Sequence, residues 1–389
     1  MDKEKLPIVS AIALNTIFGY EPKFSHNIIE ALGSAEAVFS LTDAELLKVF
    51  GPYNKYLAQI NGGALRAAEE EYDRLSSLGY QVLSLFDEAY PSALRECPDA
   101  PMILYIRSTT PASELFNRRQ VISIVGTRDI SLYGKEWCRR IVDAISQAPG
   151  KPVIASGLAY GVDITAHLSA LDCGLPTIGV SPVGIDRIYP TRHAQAAARI
   201  ASAPGSAIIT DYPPGTAPQV YNFLRRNRII AGLGSSTLLI ESKVKGGGMM
   251  TARLAAGYGR DVFALPGRID DIRSQGCNLL LKEKIAEPIS DLEALPSLLG
   301  LGQYNLRKKG SLDTMIKERF SDSLDSQGLA DISSIASAIR KERGIDIEGL
   351  CRQCDLGFGE VSAYVGMLES EGIICIDLFQ RCSINVKNA

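Results

Sequence analysis

The 389-residue chain lacks the two commonest fingerprints of nucleotide chemistry. A P-loop requires Gly-x-x-x-x-Gly-Lys-Ser/Thr, and a dinucleotide turn requires Gly-x-Gly-x-x-Gly with an acid about 20 residues on. The turn that follows the first buried-looking strand of the regular alternation, VGTRDISLYG from Val125 to Gly134, supplies neither. ATP hydrolysis and hydride transfer therefore have no local support. Histidine is scarce, at three residues. His167 follows Asp163 by four positions, so both fall on one helix face, yet no nucleophile or third group completes a mechanism. Capping and packing are the expected roles, for His193 as well.

Other absences narrow the class. The net charge is −3, so the chain is no polycation, and a polyanion must be met by a local basic patch. No apolar run approaches the roughly 18 residues of a membrane span. The N-terminal stretch MDKEKLPIVSAIALNTIFG mixes acids with lysines and shows no clear cleavage site, so it reads as an amphipathic helix and not as a signal peptide. The eight cysteines are scattered and read as reduced thiols of a soluble, cytoplasmic protein. Cys351-x-x-Cys354 with Cys375 and Cys382 fits zinc poorly, because six residues separate the second pair where about two to four are wanted. Packed thiols, no metal and no cofactor are expected.

With 46% hydrophobic residues the chain has ample material for folded cores, and its length suggests two to three domains. Residues 1–78 read as short helices at IVSAIALNTIFG, SHNIIEALGSAEAVF and TDAELLKVFG, the last opened by Thr42 and Glu45 at capping-box spacing. A SAM-like or helix-hairpin-helix bundle fits, and so does a plain helical docking cap. Residues 79–300 open with a strand, a short helix and a strand between Gln81 and Arg107. They continue with strands at VISIVG, PVIAS, PTIGV, AIIT, STLLIE and DVFALPG, separated by helical stretches. This alternation means an α/β fold with a parallel sheet wrapped on both faces. LRKKGS reads as a linker, and residues 311–389 read as helix, turn, helix and two short strands, the winged-helix order. Eight Lys/Arg against thirteen Asp/Glu from Ser311 onward argue against DNA docking by this segment and for a protein contact.

In an open parallel sheet the ligand sits at the carboxyl ends of the strands. The turns there carry Gly126-Thr127-Arg128 with Ser131, and Lys243, Lys245 and Gly246-Gly247-Gly248 with Thr251. Glycine lets backbone amides at a helix start approach an anion; it also simply permits tight turns. From Tyr221 to Arg273 nine Lys/Arg face four Asp/Glu. Phe223 beside Arg225, Arg226, Asn227 and Arg228 offers what single-stranded nucleic acid needs, an aromatic face and cations along a strand. Phe223 as a core residue, and arginines paired with Glu241 or Asp211, are the structural alternatives.

In order along the chain, VGTRDISLYG, VIASGLAYGVDITAH, TIGVSPVGIDRIYP, FLRRNRIIAGL, GGGMMTARLAA and GRDVFALPG resemble the successive signatures of the bacterial DNA-processing protein A family, also called Smf or DprA. The likeness is dense from Tyr90 to Leu281. It implies an extended Rossmann-like fold and a non-enzymatic, dimeric single-stranded DNA binder that helps load the RecA recombinase during natural transformation. By position, Gly126 and Arg128 match the family's phosphate turn, Phe223 its base-contacting aromatic, and Arg226-Asn227-Arg228 its Arg-Asn-Arg element. Leu224 stands where the family has proline, Gly246-Gly247-Gly248 where it has Ser-Gly-Ser, and Thr210-Asp211 where it has Ser-Glu. The competing expectation is a nucleotide or nucleoside-phosphate hydrolase with Asp163 or Glu241 as its acid/base.

Overall fold

The computed structural model describes residues 4–18, 21–116, 120–302, 316–317, 319–321, 323–342, 344–377 and 380–384. The stretch read as a linker lies outside them. The chain separates into two compact units, Met1–Asn305 and Leu306–Ala389.

The first unit begins with helices α1 (Leu6–Ile17), α2 (Pro22–Leu32), α3 (Ala35–Ser40), α4 (Asp43–Phe50) and α5 (Gly62–Ser77). The stretch expected as one helix from Ser25 to Phe39 is two. Gly33, at φ 89° in the left-handed region, ends α2, and the Ser34 hydroxyl accepts from the Ala37 amide to start α3. Thr42 and Glu45 close the expected capping box. The expected amphipathicity of α1 is not found. Val9 to Asn15 are buried without interruption, because α1 packs against α3, α5 and the adjacent sheet edge. Its Asn15 Nδ2 donates to the Asp211 carbonyl at 3.4 Å, so a polar side chain there is satisfied inside the unit.

The sheet contains β1 (Gln81–Ser84), β2 (Ile103–Arg107), β3 (Val121–Val125), β4 (Val153–Ser156), β5 (Thr177–Val180), β6 (Ala207–Thr210), β7 (Ser236–Leu239), β8 (Asp261–Ala264) and β9 (Glu287–Pro288). Their order is β1-β2-β6-β5-β4-β3-β7-β8-β9. From β6 to β9 all neighbours are parallel. The edge formed by β1 and β2 is antiparallel, a departure from the all-parallel expectation. The segment between β1 and β2 carries only the one-turn α6 (Ser92–Arg95).

After the one-turn α7 (Ala112–Leu115), the connecting helices are α8 (Leu132–Ser146), α9 (Val162–Asp172), α10 (Ala194–Ser202), α11 (Val220–Leu233), α12 (Gly247–Gly257), α13 (Gln275–Lys282) and α14 (Leu295–Leu298). Strand pleat divides them between the two faces. Ile122 and Ile124 of β3 join Ile141, Val142 and Val162 of α8 and α9 in one core. Val121 and Val125 join Ile229, Ile230 and Ala252 of α11 and α12 in the other, which is continuous with the N-terminal helices. Each fully buried Ile or Val contributes about 1.5–3 kcal/mol. The sheet centre is thus a stiff base for the turns at its rim.

The second unit holds α15 (Ser326–Lys341), α16 (Ile347–Cys354), α17 (Phe358–Ser370) and an antiparallel hairpin of β10 (Ile374–Ile376) and β11 (Cys382–Ile384). It has its own core, including Ile332, Ile339, Leu350, Val361 and Leu368. Cys382 is buried and Cys375 exposed. Among the described residues no cluster of His, Cys, Asp or Glu is placed to hold a metal, and no helix is long and apolar enough to cross a membrane.

Candidate nucleic-acid interface

The chain runs from β3 outward to β6, then returns to place β7 on the other side of β3. The helix after β3, α8, lies on one face and the helix after β7, α12, on the other. Their turns therefore part at the carboxyl ends of β3 and β7, which opens a crevice there.

Two glycines set its floor. A Cβ on Gly126 would lie 2.5 Å from Val162 Cγ2 and 2.8 Å from the Glu241 carbonyl. One on Gly248 would lie 2.8 Å from Leu239 Cδ1 and 3.0 Å from Gly126 Cα, so the two turns meet backbone to backbone. Gly247 faces open space. Gly246 caps α12 without a side-chain bond, so no side chain caps the first amides of the helix. The Thr127 amide donates to the Glu241 carbonyl at 2.7 Å and ties the β3 turn to β7.

Above this floor is an open cavity of about 360 Å³. Gly126, Thr127 and Arg128 form one wall, and Lys243, Lys245, Gly246, Gly247, Gly248 and Thr251 another. Phe223, Arg226 and Asn227 of α11 complete it. Twelve of the fifteen residues picked from sequence thus converge, and Arg128, Phe223 and the triple glycine share one cavity. Arg128, Lys243 and Lys245 are exposed. The Arg128 guanidinium stands 5.1 Å from the centre of the Phe223 ring, and Tyr189 meets the same ring edge-to-face at 5.2 Å.

Three of the fifteen stand elsewhere. Ser131 is the N-cap of α8: its hydroxyl accepts from the Gly134 amide at 3.0 Å, while its own amide and hydroxyl both donate to the Glu241 carboxylate. Arg228 is buried, pairs with Asp211 at 2.6 Å and donates to the Asp99 carbonyl. Arg225 lies over the Tyr221 ring, 6.0 Å from its centre. Arg226 lines the cavity but is only 3% exposed, and its Nη1 donates to the Gly157 and Val180 carbonyls. The row of arginines on α11 is therefore not a row of free cations. Periodicity on a helix already forces successive arginines to different sides, and those turned inward are held by sheet carbonyls or an acid.

The acids of the hydrolase expectation separate in the same way. Glu241 is 1% exposed and its carboxylate is taken up by Ser131, away from the cavity. Asp163 does line the cavity. Burial raises its pKa, and the positive charge of Arg226 opposes that rise. His167 is fully buried, its Nδ1 2.7 Å from Thr177 Oγ1, and burial lowers its pKa to about 3. His193 contacts the Leu158 carbonyl at 2.7 Å and meets the Tyr160 ring edge-to-face. Both histidines pack.

Sequence reading passed over Tyr189 as a partner of Phe223. The Tyr-Pro pair after β5 marked a turn, but nothing in the sequence says that this turn reaches α11.

The family described as DNA recombination-mediator protein A matches residues 81–300. Protein Smf of Escherichia coli (strain K12) is 36% identical over 224 residues, 57% of this chain and 58% of that protein. The DNA processing protein DprA of Streptococcus pneumoniae is 34% identical over 204 residues, 52% of this chain and 69% of that protein. The chain thus matches little more than half the length of the Escherichia coli relative. Among solved structures, the DNA processing protein A of Streptococcus pneumoniae superposes with a TM-score of 0.59 at 26% identity, covering 74% of this chain and 92% of that one. The DNA processing protein A of Helicobacter pylori, solved for its single-stranded DNA binding mode, superposes with a TM-score of 0.50 at 32% identity, covering 57% of this chain and 95% of that one. Matched over more than half its length by the family's sequence pattern, this chain belongs to the DNA recombination-mediator protein A family.

Proposed function

We propose that this protein binds single-stranded DNA at the β3/β7 crevice and acts without catalysis in recombination. In this reading the strand passes to the RecA recombinase during DNA uptake, in the cytoplasm, with the protein as a homodimer. The carrying observation is the convergence of Arg128, Phe223 and the open start of α12 on one cavity. A phosphate lies at the amides of Gly247 and Gly248, with Arg128 offering a planar fork and Lys243 and Lys245 mobile charge. Phe223 serves as the platform for a base. Arg226 and Asn227 shape the wall; Thr251 braces the helix start through its bond to the Gly247 carbonyl at 3.3 Å.

The remaining expectations belong to the same reading. Residues 1–78 form a helical SAM-like or helix-hairpin-helix-like domain or a plain docking cap, residues 79–300 the extended Rossmann-like DNA-binding domain, and residues 311–389 a winged-helix domain. The acid surplus of that last segment suits a protein partner better than DNA.

The test is titration of oligo-dT and of duplex DNA at several salt concentrations. Affinity favours the single strand and falls steeply with salt. Arg128→Ala weakens binding across sequences and lowers the salt slope by about 1, and Phe223→Ala costs about 1–3 kcal/mol of binding. Salt-insensitive binding, or unchanged affinity in both variants, overturns the reading. Release of base or phosphate from free nucleotides would favour the hydrolase instead.

A further inference from the structure

The N-terminal helices contain a run of cations that the crevice does not use. From Leu46 to Ala68 the sequence carries Lys48, Lys55 and Arg66 and no acid, in a chain whose acids outnumber its bases by 44 to 41. The turn at the centre of this run has a fixed shape. Helix α4 ends at Gly51, whose φ of 76° lies in the left-handed region and whose amide donates to the Leu47 carbonyl. Two turns follow and share Asn54. Its amide donates to the Gly51 carbonyl and its own carbonyl accepts from the Leu57 amide, both at 3.3 Å, while its Oδ1 accepts from the Tyr56 amide at 2.9 Å. Phe50 before the turn and Tyr56 within it both pack on Phe24, with ring centres 6.3 and 5.3 Å away.

The groups this frame presents share one ligand chemistry. Tyr53 is 99% exposed, and Lys48 and Lys55 are exposed to either side of it in sequence. Among the described residues neither lysine closes an ion pair. Lys55 bonds the Tyr56 hydroxyl and lies 4.7 Å from the centre of that ring, partners that leave its charge uncancelled, and Glu21 attracts it only at longer range. Glu45 is held at the opposite end of α4, where its carboxylate accepts from the Thr42 amide and hydroxyl. Among the described residues the amides of Tyr53 and Lys55 have no acceptor. Turn amides and ammonium groups together suit the oxygens of phosphate, and they carry no sequence information.

We propose that the turn from Gly51 to Tyr56 is a second nucleic-acid contact, which grips the phosphodiester backbone of duplex DNA apart from the crevice. Lys48 and Lys55 each neutralise a phosphate, the two amides donate to phosphate oxygens, and the Tyr53 ring covers the adjoining sugar. A duplex holds successive phosphates in a fixed array that a rigid turn matches, whereas a single strand must first be ordered at an entropic cost. The crevice then takes unpaired DNA and the turn takes paired DNA, so one molecule holds both. This contact goes beyond the single-strand reading and does not depend on it.

The experiment titrates the full chain with a mixed-sequence duplex and with oligo-dT over a range of salt concentrations. The wild type is expected to bind the duplex with salt-dependent affinity. The double variant Lys48→Gln, Lys55→Gln is expected to lower the slope of that dependence by about 2 and to leave the oligo-dT titration in place. Tyr53→Ala is expected to weaken duplex binding without altering the slope. Should the lysine variant unfold, acetylation of the wild type replaces it: duplex is expected to protect Lys48 and Lys55, and an unprotected pair overturns the proposal. An unchanged duplex slope in the lysine variant also overturns it, as does a wild type whose duplex binding ignores salt. Failure of oligo-dT alone to bind in a salt-dependent way overturns the crevice reading and leaves this contact standing.

Discussion

The guanidinium of Arg226 occupies the space that a side chain on Gly157 would need: a Cβ there would meet Nη1 at 2.5 Å and Cζ at 2.6 Å. A glycine after β4 and an arginine on α11 are thus one packing unit, and the arginine fixes α11 to the β4 and β5 ends through two carbonyls. Gly157→Ala is expected to lower stability by about 1–3 kcal/mol through overpacking. Arg226→Ala should also destabilise, by leaving buried carbonyls unpaired. The double variant should be less harmful than the sum of the two, which denaturant titration of all three can measure.

The triple glycine makes a sharper contrast. Gly247→Ala meets open space and should leave both stability and single-strand affinity within about 0.5 kcal/mol of wild type. Gly248→Ala drives a methyl toward Leu239 and Gly126, so the start of α12 must shift. Thermal unfolding and DNA titration should show loss in the second variant alone. Equal behaviour would mean that the floor of the crevice is softer than its contacts imply.

Arg228 and Asp211 make a buried pair at 2.6 Å, with side chains 10% and 2% exposed. Removing one partner strands a charge, so Asp211→Ala should cost about 3–5 kcal/mol of folding free energy. The folded fraction should bind single strands as the wild type does. Denaturant midpoints and titration of refolded protein separate the two effects. A selective loss of affinity would return Arg228 to the DNA-contacting set.

His167 gives stability a pH dependence of known sign. The Thr177 hydroxyl donates to the Ile154 carbonyl at 2.7 Å, so it accepts from His167, whose Nδ1 carries the proton of a neutral ring. Burial lowers the folded pKa to about 3 from an ordinary 6.5. The unfolded chain therefore binds the extra proton between those values. Stability should fall as pH drops from about 6.5 toward 3, at up to about 1.4 kcal/mol per pH unit. His167→Gln should remove that part of the slope in unfolding measured across the range. Asp163 acts oppositely: with its pKa raised, its contribution favours the folded state at low pH and is lost as pH rises through the raised value.

Much of the architecture was legible because buried parallel strands announce themselves. Runs such as Val121–Val125 and Ser236–Leu239 are short, apolar and bounded by turns, and their alternation with helices implied the layered sheet. Strand direction was not legible at the β1–β2 edge, where an apolar run looks the same either way. Position along the chain also brought the glycine turns to one rim. What it did not carry was the fate of each guanidinium. Arg225, Arg226 and Arg228 read alike in FLRRNR, yet one lies over a tyrosine, one is held by carbonyls and one is paired with an acid. Asp163 and Glu241 likewise read as equal candidates for a site carboxylate, yet only Asp163 lines the cavity.

The meeting of Gly126 with Gly248 has a consequence for how such a site diversifies. A floor made of main chain against main chain offers no side chain to exchange, so altered preference for ligand must be written at the upper edge, in positions such as 127–129, 189, 223–224 and 243–245. Relatives with different appetites should therefore differ around the mouth while sharing the same depth.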